Sequence, residues 1–281
     1  MRADTISHKP DLSINTDLAR AILTRFIRSE VTRTGYGGGV VGLSGGLDSA
    51  VSLILAADAL GAANVLALRL PHDTSSPDSL EHAQLMIDAL GVPSKTIDIT
   101  PMVEPFEQRD PKISKARKAS IMARMRMIAL YDQSRDFNGL VIGTSNKSEM
   151  LLGYTTLWGD MAAAIQPLGD LYKTQVRQLA RALQIPAVII DKPPSADLWS
   201  GQTDEGELGF TYEAVDRLLF LLVDGRFSPE ACIQAGFKES FVTRVADLMR
   251  KSQFKRLMPP IAKLSNRTIG YDFLYPRDWG T

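Results

Sequence analysis

Six residues, Ser44-Gly45-Gly46-Leu47-Asp48-Ser49, interrupt an apolar run that begins at Gly39 and resumes at helical spacing through Leu55. Hydroxyls, glycines and one carboxylate in so short a span suit two tasks. They cap helices, as Ser and Asp do routinely. They also suit phosphate, because a turn from the carboxyl end of a strand into a helix aims backbone N–H groups outward beside the positive end of a dipole. The turn alone leaves both readings open. Two familiar glycine motifs fit less well. Gly37-Gly38-Gly39-Val40-Val41-Gly42 satisfies GxGxxG but precedes the predicted strand, so it reads as a flexible lead-in and not a dinucleotide fingerprint. A Walker loop needs a lysine after its glycines, and none follows here.

Other chemistry finds little footing. His8, His72 and His82 have no paired spacing and no HExxH, which argues against a zinc site or a histidine-based triad; His82 is expected on a helix surface. The single cysteine, Cys232, excludes an internal disulfide and any CxxC pair, and its place in ACIQAGF predicts packing rather than nucleophilic attack. It fits a reducing compartment, with the cytoplasm as the expectation. Thirty-two basic against thirty-two acidic residues argue against broad capture of nucleic acid or anionic membrane, and favour a small shaped ligand. The run Lys112–Lys118, KISKARK, has no aromatic interleaving and reads as a solvated helix start. The methionines of IMARMRM read as core or dimer packing, not a copper site. Neither a signal-peptide core nor an uninterrupted membrane span is visible.

The elements that must position the turn follow from periodicity. With 44% hydrophobic residues, 281 positions can bury a large core. Short β-rich runs alternate with amphipathic helical patterns, which predicts a doubly wound parallel α/β sheet. Strands are expected near Val40–Leu43, Val65–Leu70, Ser94–Ile99, Leu140–Gly143 and Ala187–Ile190. Helices are expected over Asp17–Arg33, Ser49–Leu60, Asp78–Leu90, Ser114–Tyr131 and Lys173–Leu183. Pro71–Asp78 and Lys192–Gly209 are rich in Pro, Ser, Asp and Gly and read as loops, the second long enough for a mobile lid. The chain is expected to form one domain over 1–281, with a core sheet at about 35–191, a lid at about 192–209 and a C-terminal segment from 210. That segment reads as helical, then as extended and docked from Ile261 to Thr281.

The string SGGLDS resembles the pyrophosphate loop of the N-type ATP pyrophosphatases, which split ATP into AMP and pyrophosphate during acyl activation. RLPHDTSS at Arg69, IMARMRMIALY at Ile121, GTSNKSEMLLGYTT at Gly143, WGDMAAAIQPLGDLYKTQV at Trp158 and PPSADLWSGQTDEGELGFTYEAVD at Pro193 resemble, in order, the ammonia-dependent NAD synthetases. The resemblance covers nearly the whole chain and implies the adenine nucleotide alpha hydrolase-like fold. It implies ATP-dependent amidation of deamido-NAD by ammonia through an acyl-adenylate. It places Gly42, Leu43, Ser44, Gly45, Gly46, Leu47, Asp48 and Ser49 around the ATP phosphates, and Arg69, Thr144, Lys173 and Ser195 elsewhere on ATP. Asp48 and Glu149 would hold Mg²⁺, whose hard oxygen preference suits carboxylates. Without the motif, Glu149 reads as a solvated helix-face residue and Lys173 as a surface lysine. Arg124, Asp160 and Lys255 would contact deamido-NAD, and a homodimer is implied. There is no glutaminase segment, so nitrogen is expected as free ammonia or from a separate glutaminase.

Departures cluster on the substrate side. Leu157 stands where many members have lysine in FTKYGD, Ala164 where an aspartate precedes INP, Phe254 in place of histidine in HKR, and Ser120 in place of asparagine in GNxKAR. Arg124, Lys255 and Arg256 remain as cations. Two alternatives therefore stand beside deamido-NAD: amidation of a related acid such as nicotinate mononucleotide, or an ATP-binding module without turnover.

Overall fold

The computed structural model describes residues 9–199 and 201–272. His8, Ser200 within the predicted lid, and positions 273–281 of the predicted C-terminal segment lie outside them. The first half runs α1 (Thr16–Arg33), β1 (Gly38–Gly42), α2 (Leu47–Leu60), β2 (Val65–Arg69), α3 (Pro77–Leu90), β3 (Ser94–Thr96), α4 (Thr100–Arg109), α5 (Lys115–Asp136) and β4 (Gly139–Ile142). The second half is helical: α6 (Lys147–Leu152), α7 (Lys173–Ala182), α8 (Ala187–Ile190), α9 (Asp204–Leu208), α10 (Tyr212–Val223), α11 (Pro229–Gln234) and α12 (Glu239–Ser252).

Local chemistry sets the boundaries. The Asn15 side chain accepts from Leu18 N–H to start α1, and Ser114 accepts from Arg117 N–H to start α5. Pro77 opens α3 and Gly91, at φ 62°, closes it in the left-handed region. The four strands are all parallel, in the order β3-β2-β1-β4, with Val40 opposite Leu66 and Val141. Chain direction across the sheet reverses between β1 and β4, so the carboxyl ends of these two strands form a crevice at the switch point, where ligands of open sheets collect.

Alternation along the strands builds two cores. Val41, Val65 and Ala67 face Ile27, Leu53, Met86 and Leu179 on one side. Val40, Leu66 and Leu68 face Val103, Met122 and Ala129 on the other. Each fully buried side chain such as Leu53 or Leu68 contributes roughly 1.5–3 kcal/mol. Helix α2 is buried on nearly every face, which explains why its apolar pattern has no polar stripe. A third core joins Tyr172 to Tyr212, Leu218, Cys232, Val242 and Val245, so Cys232 is packed as expected. Among the described residues no helix is long and apolar enough to cross a membrane.

Several expectations are corrected. Ala187–Ile190 is a single helical turn, not a strand: Ile189 and Ile190 donate N–H to Pro186 O and are buried side by side, while Val188 points out. The place beside β4 is taken by the Ile165 segment, where Ala164 N–H bonds Val141 O and Gly143 N–H bonds Ile165 O. Gly38 and Gly39 are buried strand residues and not a flexible lead-in; a Cβ on Gly39 would stand 2.5 Å from Ile142. The third strand stops at Thr96, and helix α4 follows where none was expected. His82 is buried on the inner face of α3. The lid segment contains helix α9, and the described part of the C-terminal extension is exposed instead of docked, with Leu264 96% accessible.

Candidate active site

The glycine-serine turn lies at the carboxyl end of β1, and its geometry bears on the capping reading. No side chain caps the amino end of α2. Ser49, the obvious capping candidate, turns its hydroxyl inward: it donates to Gly46 O at 2.9 Å and accepts from Ser44 N–H at 3.2 Å, knitting the turn together. The first N–H groups of α2 are thus left for a ligand, as phosphate binding requires. Gly45 has φ +74°, and a Cβ there would sit 2.1 Å from Ser79 O, so only glycine fits against the first turn of α3. Leu43 and Leu47 are buried behind the turn, and Gly42 ends the strand.

In the first turn of α2, Asp48 meets partners from the far side of the crevice. Lys173 Nζ donates to Asp48 Oδ2 and, at 3.0 Å, to Glu149 Oε1. Asn146 Nδ2 donates to Asp48 Oδ1 at 3.0 Å. Asn146 also caps α6 in a reciprocal box: its side chain accepts from Glu149 N–H at 3.0 Å, and its own N–H bonds Glu149 Oε2 at 3.3 Å. Glu149 and Lys173, which read as surface residues without the motif, are thus paired inside the protein. Burial pushes the Glu149 carboxyl up; the Lys173 ammonium pulls it down and Asp48 pushes it up again, leaving it at about 7. For Lys173, burial acts downward, but Asp48 and Glu149 outweigh it and hold the ammonium well above the ordinary lysine range.

Buried Asp216 fixes the helices that deliver this pair. Its Oδ1 accepts from Ser148 Oγ at 2.5 Å and its Oδ2 from Thr174 N–H at 2.9 Å, while Ser148 Oγ accepts from Lys173 N–H at 2.9 Å. Helix α10 thereby locks α6 to the start of α7, one residue from each functional side chain.

The lid segment is latched to the turn. Asp197 accepts from Ser76 N–H and Ser79 Oγ, and Lys192 Nζ donates to the same hydroxyl at 2.9 Å. Ser79 is the residue whose carbonyl backs Gly45.

The chain carrying these features is similar over most of its length to known proteins. The NAD synthase model matches residues 20–259. The chain belongs to the NAD synthase family. The NH(3)-dependent NAD(+) synthetase of Chlorobaculum tepidum is 52% identical over 269 residues, covering 96% of this chain and 97% of its own. Among solved structures, NMN synthetase from Francisella tularensis is 33% identical with a TM-score of 0.78, covering 89% of this chain and 99% of its own. NH3-dependent NAD synthetase from Campylobacter jejuni in complex with the nitrate ion is also 33% identical, with a TM-score of 0.77, covering 89% of this chain and 100% of its own. The fold is the parallel α/β sheet of the ATP pyrophosphatases that the sequence pattern predicts.

The residues assigned by resemblance fall into two groups. Thr144 follows β4 at the crevice, beside the turn. Arg69 ends β2; its Nη1 donates to Gln84 Oε1 at 2.6 Å, and its Nε is buried without a partner. The Ser195 hydroxyl accepts from Asp197 N–H and shapes the lid. Arg124, Asp160 and Lys255 gather around the loop that leaves α6. Arg124 Nη2 donates to Leu157 O, Asp160 Oδ1 accepts from Thr156 N–H at 2.7 Å, and Lys255 Nζ donates to Gly153 O and Thr155 O. Arg256 donates its guanidinium to Met150 O, Leu151 O and Met249 O, closing helix ends. Sequence reasoning missed Asn146, Asp204, Tyr212 and Asp216. Only Asn146 carried a local signal, the capping pattern Asn-x-x-Glu.

Proposed function

We infer that this protein makes NAD from deamido-NAD by ATP-dependent amidation with ammonia. The observation that carries the reading is the uncapped amino end of α2 facing the Asp48–Lys173–Glu149 cluster at the switch point of the sheet. The deamido-NAD carboxylate attacks the ATP α-phosphorus, an O–P bond forms, and the bond to pyrophosphate breaks. Ammonia then attacks the acyl carbon, the bond to AMP breaks, and the nitrogen loses a proton to leave the amide. The turn Ser44–Ser49 would hold pyrophosphate on backbone N–H groups, with the Lys173 charge alongside. Arg124, Asp160 and Lys255 would orient the acid, and the lid would keep water from the acyl-adenylate.

The cluster fits a magnesium ion. Asp48 and Glu149 supply hard oxygens from two helices to one cation, Lys173, and the Oδ1 of nearby Asp204 is buried without a partner, so the site holds more negative than positive charge. Bound there, Mg²⁺ would neutralise phosphate charge and favour departure of pyrophosphate. The residues implied to hold it are Asp48 and Glu149. We further propose that the chain acts as a homodimer on free ammonia, or ammonia from a separate glutaminase. The buried thiol of Cys232 is consistent with the reducing cytoplasm.

Nicotinate mononucleotide is a second reading, favoured by the likeness to the Francisella enzyme and by three substrate-side departures. Leu157 offers Arg124 only its carbonyl, Ala164 is spent on the sheet, and Phe254 is exposed. Retained Arg124 and Lys255 keep deamido-NAD as the favoured acid. The test is kcat/KM for both acids at saturating ATP and ammonia, with products identified by mass spectrometry. A preference for deamido-NAD that shrinks about tenfold in Arg124→Ala is expected, because a charge-assisted hydrogen bond contributes roughly 1.5–3 kcal/mol. A preference for the mononucleotide overturns the assignment.

A further inference from the structure

The turn after α6 holds an aromatic residue that the assigned chemistry does not use. Of the five described non-glycine residues in the left-handed region, Asn138, Gln184, Asp197 and Arg226 are polar, and the fifth is Trp158, at φ 58°. A bulky side chain is strained there, and such strain collects at ligand sites, where surrounding contacts over-determine the backbone. Those contacts are present. Thr156 N–H donates to Asp160 Oδ1 at 2.7 Å, Gly159 N–H to Thr156 O at 3.0 Å, and Ala162 N–H to Gly159 O at 3.0 Å. Gly159 lies close against α5, where a Cβ would stand 3.0 Å from the Ala123 methyl. On the other side the segment is tied to the sheet: Gln166 Nε2 donates to Met161 O at 3.2 Å, and Ala164 N–H to Val141 O in β4.

Burial does not explain the indole. Trp158 is 45% accessible, and no ring or cation of another described residue stacks on it. Its chain neighbours meet the two side chains read as orienting the acid: Arg124 Nη2 reaches the carbonyl of Leu157 at 3.2 Å, and the Asp160 carboxylate closes the turn. An exposed aromatic held in a strained conformation beside a guanidinium and a carboxylate suits a flat, charged ligand. The acid supplies one. Its pyridine nitrogen is glycosylated, so the ring is cationic and electron-poor, and indole is the side chain that attracts a cation best. We propose that Trp158 is the stacking platform for the pyridinium ring of the acid substrate. This rests on Arg124 and Asp160 orienting the acid, and it assigns recognition of the ring itself. Because deamido-NAD and nicotinate mononucleotide share that ring, Trp158 selects pyridine nucleotides as a class and leaves discrimination between the two to residues that meet the rest of the molecule.

Two measurements on the full chain test it. The first is an absorption titration with each acid in the absence of ATP, where no turnover occurs. Indole stacked on a pyridinium ring donates charge to it and gives a broad long-wavelength band, which wild type is expected to show with both acids and Trp158→Phe to lack. The second is kcat/KM for both acids at saturating ATP and ammonia. Trp158→Asn, whose side chain tolerates the left-handed conformation, is expected to melt no lower than wild type and to lose about tenfold with either acid. Trp158→Phe, which keeps a flat ring, should lose less. No band in wild type, a band that survives in Trp158→Phe, or unchanged kcat/KM in Trp158→Asn overturns the proposal. A loss confined to deamido-NAD overturns it too, because it puts the adenine and not the pyridine on the indole. A lowered melting temperature in Trp158→Asn shows a structural role instead. The two readings fail separately: a band in a wild type that amidates neither acid upholds the platform and defeats the amidation, whereas turnover without a band does the reverse.

Discussion

At position 173 the ammonium of a buried lysine occupies the ground between two carboxylates that a divalent cation would otherwise share. Removing either acid should therefore spare the fold and stop the chemistry. Asp48→Asn and Glu149→Gln are each expected to slow AMP release at least about a hundredfold while shifting the melting temperature little; near-normal turnover at limiting Mg²⁺ would remove the metal assignment. Acid-base behaviour gives a second check. In the metal-free protein Glu149 keeps its proton up to about pH 7, against an ordinary value of 4.5. Across that window the folded chain holds a proton that the unfolded chain has released, so this group's contribution to stability falls as pH rises. A cation claiming the carboxylate must expel the proton, so the thermal stabilisation by Mg²⁺ with ATP should grow as pH climbs to about 7 and then level off. An increment that is flat or declines over that range contradicts it. The turn offers a third. Gly45→Ala meets the Ser79 backbone in a left-handed conformation, which costs roughly 1–3 kcal/mol before the clash is counted, whereas a Cβ on Gly46 meets only the Ser44 hydroxyl at 3.3 Å. Denaturant melts should show a large loss for the first and less than about 1 kcal/mol for the second. The turn was legible in sequence because phosphate binding of the kind proposed there would use consecutive backbone groups. Asp204 and Tyr212 were not, since their roles arise from contacts with residues distant in the chain.

Elements place these residues through polar contacts as much as apolar ones. Asp216, buried on α10, holds Ser148 and the first turn of α7, so Asp216→Ala strands two buried donors. The expected loss is about 3 kcal/mol in urea unfolding, with a raised KM for ATP because Glu149 and Lys173 lose their common anchor. A variant with wild-type stability would show that α6 and α7 are held by packing alone. The same helices show where pattern reading stops. Ala187–Ile190 looked like a strand because β-branched residues cluster wherever burial is high, and a four-residue run cannot separate a buried helical turn from a buried strand. Thr100–Arg109 carries Pro101 and Pro105, punctuation that conceals a helix whose first turn tolerates one proline and whose interior accepts another. Gly38 and Gly39 read as loop, yet the close approach of Ile142 and Asn64 is what requires them inside β1.

For the molecule as a whole, alternation of strand and helix patterns sufficed to foresee a parallel sheet with its site at the strand ends, and the structure adds the switch between β1 and β4. Sequence periodicity could not reveal how the C-terminal segment lies. Leu257, Met258, Ile261 and Leu264 are all exposed within a short stretch, more apolar surface than a monomer usually leaves in one place. Sedimentation should give a dimer, and Met258→Asp combined with Leu264→Asp should shift it toward monomer; a monomeric wild type contradicts the proposed assembly. One feature of the centre reaches beyond catalysis. Because the Lys173 ammonium already bridges Asp48 and Glu149, the two carboxylates are held together by the chain itself, and folding is expected to need no divalent ion. With Mg²⁺ bound as proposed, the protein would be a metal user without being a metalloprotein: exhaustive chelation should abolish turnover yet leave the melting temperature and refolding yield where they were, and the enzyme would ride out magnesium scarcity intact, idle and immediately reactivatable.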